Sequence, residues 1–273
     1  SSDGGSMEVY YQLIKVAIKK QLQYSKSIII FFIVNSMKIM LYYTLFNAIY
    51  KYNGTSEILG YTSTQMIWYF GLLSATWSLI WSSIDWQLST SIINGNFAME
   101  LLKPISIFSR GLCESIGTSI ISFFTEFLLL LLVQSFFIFP NFLNLISIIK
   151  YLVLLVFAFI MNYLINFICG IAAFVTTNIK SVINFKFMLF AVFGGSYIPL
   201  NFLPESIKNI SCYLPFQYII YWPIQFFLNT EETSEVKVFL YVIINQILWI
   251  LVLYIIYRIL WKKAIKKYVS FGG

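Results

Sequence analysis

The chain has 273 residues, of which 59% are hydrophobic and only 11% charged, and it carries a formal net charge of +7. A soluble domain of this size carries about a quarter charged residues, so the composition excludes one and reads as an all-α integral membrane protein. Histidine is absent and the three cysteines, Cys113, Cys169 and Cys212, lie far apart; His-based acid–base pairs and nucleophile triads, zinc knuckles and disulfide frameworks are excluded, and no metal site is expected.

Residues 1–6, Ser-Ser-Asp-Gly-Gly-Ser, precede Met7 and read as an expression-tag remnant. Residues 7–27 read as an amphipathic interface helix. Tyr10, Leu13, Ile14, Ala17 and Tyr24 fall on one side, and Gln12, Lys15, Lys19, Gln23 and Lys26 on the other. A basic amphipathic helix beside a membrane span is expected in the headgroup plane.

Residues 28–268 read as one transmembrane domain. Six apolar runs, 28–50, 61–84, 111–139, 146–178, 182–200 and 238–260, approach or exceed the roughly 20 residues that a helix needs to cross the hydrocarbon core. With the N-terminus inside, the inner segments hold Lys15, Lys19, Lys20, Lys26, Lys103, Arg110, Lys180, Lys186, Arg258, Lys262, Lys263, Lys266 and Lys267. The outer loops hold Lys51, Lys208 and Lys237. Short Lys- and Arg-rich loops stay cytoplasmic, which places both termini in the cytoplasm. The same distribution assigns the positive charge to topology, and no nucleic-acid partner is expected.

Within the first run, Asn35, Lys38 and Tyr42 share a face at i, i+3, i+7. Glu126 lies about halfway along the third run, as Lys38 does in the first. Two intramembrane ions at one depth suggest a direct pair or a shared polar cavity, with a snorkelling Lys38 or a protonated Glu126 as the alternatives, since an isolated charge there is costly. In the fourth run Asn162, Asn166 and Cys169 share a face, and the amides are suited to bonding neighbouring helices.

Two segments break the apolar rhythm. Residues 85–103 form the largest inner connection, with Ile92, Ile93, Phe97, Leu101 and Leu102 making a partly apolar helical surface, interrupted at Asn94-Gly95-Asn96 and closed by Pro104. A short surface helix of this kind suits docking to another protein, or alternatively lying on the membrane. Between the fifth and sixth runs, Pro199, Pro204, Pro215 and Pro223 are interleaved with aromatic and aliphatic residues. Proline breaks a helix, so short re-entrant helices are expected in the outer half of the membrane, covered by protein or water. No G-x-x-x-x-G-K-[ST] loop and no Gly-rich dinucleotide turn is present; ATP-driven work would require a separate ATPase, and the chain reads as a non-enzyme.

Residues 92–108, Ile-Ile-Asn-Gly-Asn-Phe-Ala-Met-Glu-Leu-Leu-Lys-Pro-Ile-Ser-Ile-Phe, resemble the I-x-x-G-x-x-x-x-x-L-L-[KR]-P-[IL]-S signature between the second and third helices of bacterial type-2 ABC exporter permeases. Gly60-Tyr61-Thr62-Ser63-Thr64-Gln65-Met66 resembles that family's entry to its second span. Pro199-Leu200, Phe202-Leu203-Pro204, Leu214-Pro215-Phe216 and Pro223 resemble its outer re-entrant segment. The resemblance covers nearly all of 8–268.

The resemblance implies a six-helix permease in the bacterial cytoplasmic membrane, paired with a second permease (a copy or a paralogue) and docked on a cytoplasmic ABC ATPase that binds ATP and magnesium. It implies a coupling helix comprising Ile92, Ile93, Gly95, Phe97, Leu101 and Leu102. It further implies a translocation path bearing Asn35, Lys38, Tyr42, Thr76, Ser78 and Asn184, with an exit gate around Pro199, Pro204 and Pro215. Export of amphipathic cargo (peptide, drug or lipid-like) follows by alternating access. A proton-coupled secondary carrier is the competing reading; it calls for inverted repeats or several intramembrane carboxylates.

Overall fold

A computed structural model describes residues 3–23, 25–233 and 235–272 of the chain. Its helices are α1 (Asp3–Gln23), α2 (Ser25–Asn53), α3 (Ser63–Ile80), α4 (Ile84–Ile93), α5 (Phe97–Leu101), α6 (Ile107–Ser122), α7 (Leu128–Phe137), α8 (Leu145–Ile171), α9 (Ile179–Phe193), α10 (Glu205–Cys212), α11 (Phe216–Ile219), α12 (Tyr221–Leu228) and α13 (Val236–Gly272). A π turn, Phe123–Phe127, joins α6 to α7 and carries Glu126.

Among the described residues, four helices are long and apolar enough to cross a membrane: Ile29–Asn53, Ile107–Phe137, Leu145–Phe174 and Val236–Lys266. They match the first, third, fourth and sixth apolar runs. The second and fifth runs are shorter as helices than as apolar stretches. At 18 and 15 residues, α3 and α9 rise about 27 and 22 Å, so a six-crossing count rests on these two. The fifth run, read to residue 200, ends as helix at Phe193, where Gly194 and Gly195 follow and Gly195 takes φ +74°.

The second run, read to residue 84, is broken after Ile80. Trp81 turns extended (ψ 135°) before α4 begins. A helix end leaves carbonyls without partners, and here neighbouring side chains supply them. Ser119 donates to the Leu79 carbonyl (2.6 Å), Asn162 Nδ2 to that of Ile80 (2.7 Å), and Asn166 Nδ2 to that of Ser82 (3.3 Å). The α8 amides thus bond a neighbouring helix, as their shared face suggests.

The entry to α3 is equally specific. β1 (Glu57–Ile58) pairs antiparallel with β2 (Tyr61–Thr62) across Leu59-Gly60, both at positive φ (50° and 81°). A two-residue turn with both φ positive favours glycine. Thr62 and Gln65 then form a reciprocal capping box. The Gly60–Met66 motif therefore has a mechanical content: a turn, a buried tyrosine and a helix start.

Of the short helices after α9, α11 and α12 occupy the core, whereas α10 is largely exposed with Ser211 turned inward. Pro204 and Pro215 sit at the N-caps of α10 and α11, and Pro199 caps a 3₁₀ turn, Leu200–Phe202. Tyr218, Ile219, Ile220, Ile224, Phe226, Phe227 and Leu228 are buried, packed against α8 and α3. Their backbone is held by distant side chains, as buried irregular backbone requires. Gln246 donates to the carbonyls of Tyr218 (2.8 Å) and Leu154 (3.1 Å), and Gln65 to that of Leu228 (3.2 Å).

α1 packs against α6. A Cβ added at Gly117 would lie 2.7 Å from Ala17 Cβ and 2.9 Å from the Ile14 carbonyl, so the glycine permits the close crossing. Leu13, Ile14 and Ala17 of the expected apolar side turn inward while Tyr10 is exposed; Tyr24 lies outside the described residues. α1, α4–α5 and the far end of α13 share one end of the molecule. Lys20 lines a groove with Glu100, Lys103 and Arg110, and Phe97 touches Tyr268. The hairpin and α12 gather at the other end, where Gln225 donates to the Tyr61 hydroxyl (2.6 Å).

Candidate functional site

The connection 85–103 folds as two short helices, α4 and α5, hinged at Asn94-Gly95-Asn96, with Gly95 at φ +76°. α4 lies tight on α8: at Gly170 a Cβ would meet Leu88 Cβ at 3.1 Å and the Asp85 Cα at 3.2 Å. α5 is held by Phe97, fully buried, with its ring edge-on to Phe174 (5.1 Å), Tyr268 (5.0 Å) and Trp261 (6.1 Å).

This corrects the placement of Phe97 in an outward-facing surface; it anchors the segment instead. Ile92 is half-buried. Ile93 and Leu101 are exposed, as are Met99 (67% exposed) and Leu102 (84%). Met99 belongs to this face and was missed because methionine was not counted in the apolar pattern.

Charge fixes the far side of α5. Glu100 accepts from Lys103 (2.7 Å) and from Arg110. Burial alone would raise its carboxyl, but bonds and charges from Lys103 and Arg110 outweigh that and hold it below the usual carboxylate range. With Lys20, Gln87, Ser91 and Glu114 these groups line a groove of about 370 Å³ between α1, α4 and α6.

A second feature lies deeper. A cavity of about 590 Å³ between α2, α3, α6 and the π turn is lined by Asn35, Lys38, Ser74, Trp77, Ser78, Trp81, Thr118, Ser122 and Glu126 among others. Lys38 and Glu126 both face it. Among the described residues no ion pair joins them, and Lys38 is exposed.

The remaining path candidates scatter. Thr76, two positions from Ser78, points the opposite way and bonds the Tyr151 hydroxyl (2.9 Å) in the core. Tyr42 stacks on Phe70 (4.5 Å). Asn184 is exposed on α9, away from this cavity. Pro199, Pro204 and Pro215 start short helical turns, as described above.

Sequence reading also missed a buried ion pair. Lys186, counted among the inner positive charges, lies within α9 and donates to Asp85 Oδ2 at 2.6 Å and to Asn166 Oδ1 at 2.6 Å. Asp85 sits just past the second apolar run and Lys186 inside the fifth, which is the signal available in retrospect. Cys113, Cys169 and Cys212 are free thiols.

The family profile described as ABC-2 family transporter protein matches residues 32–272. The chain belongs to that family. A comparison with curated proteins finds no match. As an ABC-2 permease it is a transmembrane transport subunit of a system whose ATPase activity resides on a separate subunit. The match spans α4–α5, most of the cavity lining and the short helices after α9 together. It leaves α1 outside its limits.

Proposed function

We propose that this permease is the membrane subunit of an ATP-driven exporter of amphipathic cargo in the bacterial cytoplasmic membrane. ATP and magnesium are bound by a cytoplasmic ABC ATPase, and a second permease, identical or paralogous, completes the transporter. The observation that carries this reading is the α4–α5 segment. Four apolar side chains, Ile93, Met99, Leu101 and Leu102, stand exposed on a short element that Phe97 anchors from behind. Apolar anchors on a pre-organised element are what a docking interface uses.

Six crossings, with α3 and α9 as the short ones, place both termini in the cytoplasm with the docking segment. The shared end of α1, α4–α5 and α13 supports this, because an even number of crossings returns both termini to one side. The cavity holding Asn35, Lys38, Ser78 and Glu126 supplies a path wall with aromatic and polar groups side by side, suited to peptide, drug or lipid-like cargo. Closure of the ATPase dimer on ATP supplies the differential affinity that alternating access requires. Pro199, Pro204 and Pro215 punctuate the outer helices that would gate the exit. A proton-coupled carrier fits less well: Asp85 is neutralised by Lys186, and Glu126 is the one carboxylate lining the membrane-depth cavity.

The experiment is reconstitution with the companion ATPase in nanodiscs, comparing Met99→Asp and Leu102→Asp with the parent. The reading expects ATPase assembly to be lost in both variants at unchanged melting temperature. Full assembly and full hydrolysis in both would remove the docking assignment.

A further inference from the structure

Three elements meet at the first turn of α4. Lys186 of α9 reaches Asp85 of α4 and Asn166 of α8, each at 2.6 Å, and both charged side chains are only 6% exposed. The second Asp85 oxygen, Oδ1, accepts from the Trp86 amide (2.8 Å), and Asn166 Nδ2 holds the Ser82 carbonyl where α3 ends. The Lys186 ammonium also stands 4.6 Å from the Phe187 ring centroid.

Stability does not account for this arrangement. Removing two charges from water costs about as much as their pairing returns, and well-packed apolar residues of similar volume are often equally stable or more so. What the pair does accomplish is a junction. α4 continues into the docking segment. α9 continues outward to the broken helices: Phe190 packs on Phe216 (5.0 Å), and the Phe193 carbonyl accepts from Ser211 (2.7 Å) of α10. Elsewhere on α9, Asn184, Phe185 and Met188 are exposed. One face of α9 rests on α3, with Trp77 against Phe187 (5.9 Å) and Phe190 (5.0 Å); its one buried charge ties it to the docking segment and its far end to the outer segment, so it is placed as a strut between them.

We propose that Asp85 and Lys186 are positioning residues for transport, the joint through which displacement of the docking segment is passed to α9 and onward to the outer helices. This rests on the reading of the chain as the permease of an ATP-driven exporter. An ion pair held by a third side chain has a narrow geometric optimum, so α4 and α9 move together or the pair breaks. A packed apolar contact at the same place would let the two helices slide. A switch needs an element whose two arrangements differ in free energy.

The test places a reporter beside the joint. In a background with Cys113, Cys169 and Cys212 replaced by alanine, Asn184→Cys puts a thiol on the exposed side of α9. The permease is reconstituted with its companion ATPase, and co-elution of the two is measured first. Maleimide labelling is then timed without nucleotide and with ATP plus vanadate. In the parent, nucleotide is expected to change the labelling rate by about fivefold or more. In Asp85→Leu/Lys186→Met the change is expected to fall below about twofold, while co-elution and melting temperature stay at the parent's values.

A second pair of variants keeps the test decisive if the double variant melts early. Lys186→Arg keeps the charge and the response, whereas Asp85→Asn keeps the shape and loses the response. A nucleotide response in the double variant or in Asp85→Asn equal to the parent's overturns the proposal. So does a parent whose labelling ignores nucleotide while the ATPase stays bound, a result that leaves the exporter reading standing. Absence of any bound ATPase defeats that reading, and the joint with it.

Discussion

Replacing Phe97 with alanine separates anchoring from docking. The ring is fully buried, edge-on to Phe174, Tyr268 and Trp261 at 5.0–6.1 Å. The segment belongs to the water-exposed end of the molecule on this account, so values from soluble cores apply. Truncating a buried phenylalanine costs about 3–5 kcal/mol in transfer and cavity terms, and the edge contacts account for about 0.5–1.5 kcal/mol each within that total. Spent on local opening of residues 94–103, this amounts to at least about a hundredfold faster amide exchange there, at tenfold per 1.4 kcal/mol. Hydrogen–deuterium exchange read by mass spectrometry measures it directly. Leu102→Asp is the counterpart: an 84% exposed side chain leaves exchange within about 0.5 kcal/mol of the parent yet removes ATPase assembly. If Phe97→Ala exchanges as slowly as the parent, the anchoring argument is wrong.

Gly117→Leu drives a side chain into Ala17 and the Ile14 carbonyl, so α1 should leave α6; a disulfide crosslink engineered between the two helices is expected to drop to background. Asn162→Ala leaves the Ile80 carbonyl without its donor and should cost about 0.6–2 kcal/mol, read by steric-trapping unfolding in bicelles. Glu100 titrates below its ordinary range, so its contribution is complete above the unfolded carboxylate value of about 4.3 and disappears as pH falls through the lower folded value. Between pH 6 and pH 3 the parent should therefore lose more melting temperature than Glu100→Gln. With Lys103 half exposed, that difference is at most about 1 kcal/mol. Lys38→Met and Glu126→Gln line one cavity without pairing, and their stability losses should add within about 0.5 kcal/mol; a coupling above about 1 kcal/mol would show a direct pair.

Much of the architecture was written in local chemistry. Apolar length located the four long apolar helices, prolines located the starts of short helices after α9, and Asn94-Gly95-Asn96 located the break between α4 and α5. Those are properties of a residue and its immediate neighbours. What escaped was rotation and partnership. Phe97 and Leu102 are equally apolar in the sequence, and only the position of Trp261 and Tyr268, some 160 residues away, turns one inward and leaves the other out. Thr76 and Ser78 looked equivalent, but one faces Tyr151 and the other the cavity. Lys186 resembled the topogenic lysines of the inner loops because its partner, Asp85, lies 101 positions earlier. The end of α3 at Ile80 was hidden for the same reason: the carbonyls freed by the break are satisfied by Ser119, Asn162 and Asn166, which a local apolar pattern does not report.

The central claim is that this permease draws its energy from a separate ATPase bound at α4–α5. Photo-crosslinking from a benzoyl-phenylalanine installed at position 102 in living cells tests it most directly. The account predicts one dominant adduct whose peptides contain a P-loop, lost when Met99→Asp is added. An adduct lacking any nucleotide-binding motif, or vesicle uptake by the purified chain with no second subunit and no ATP, would contradict it.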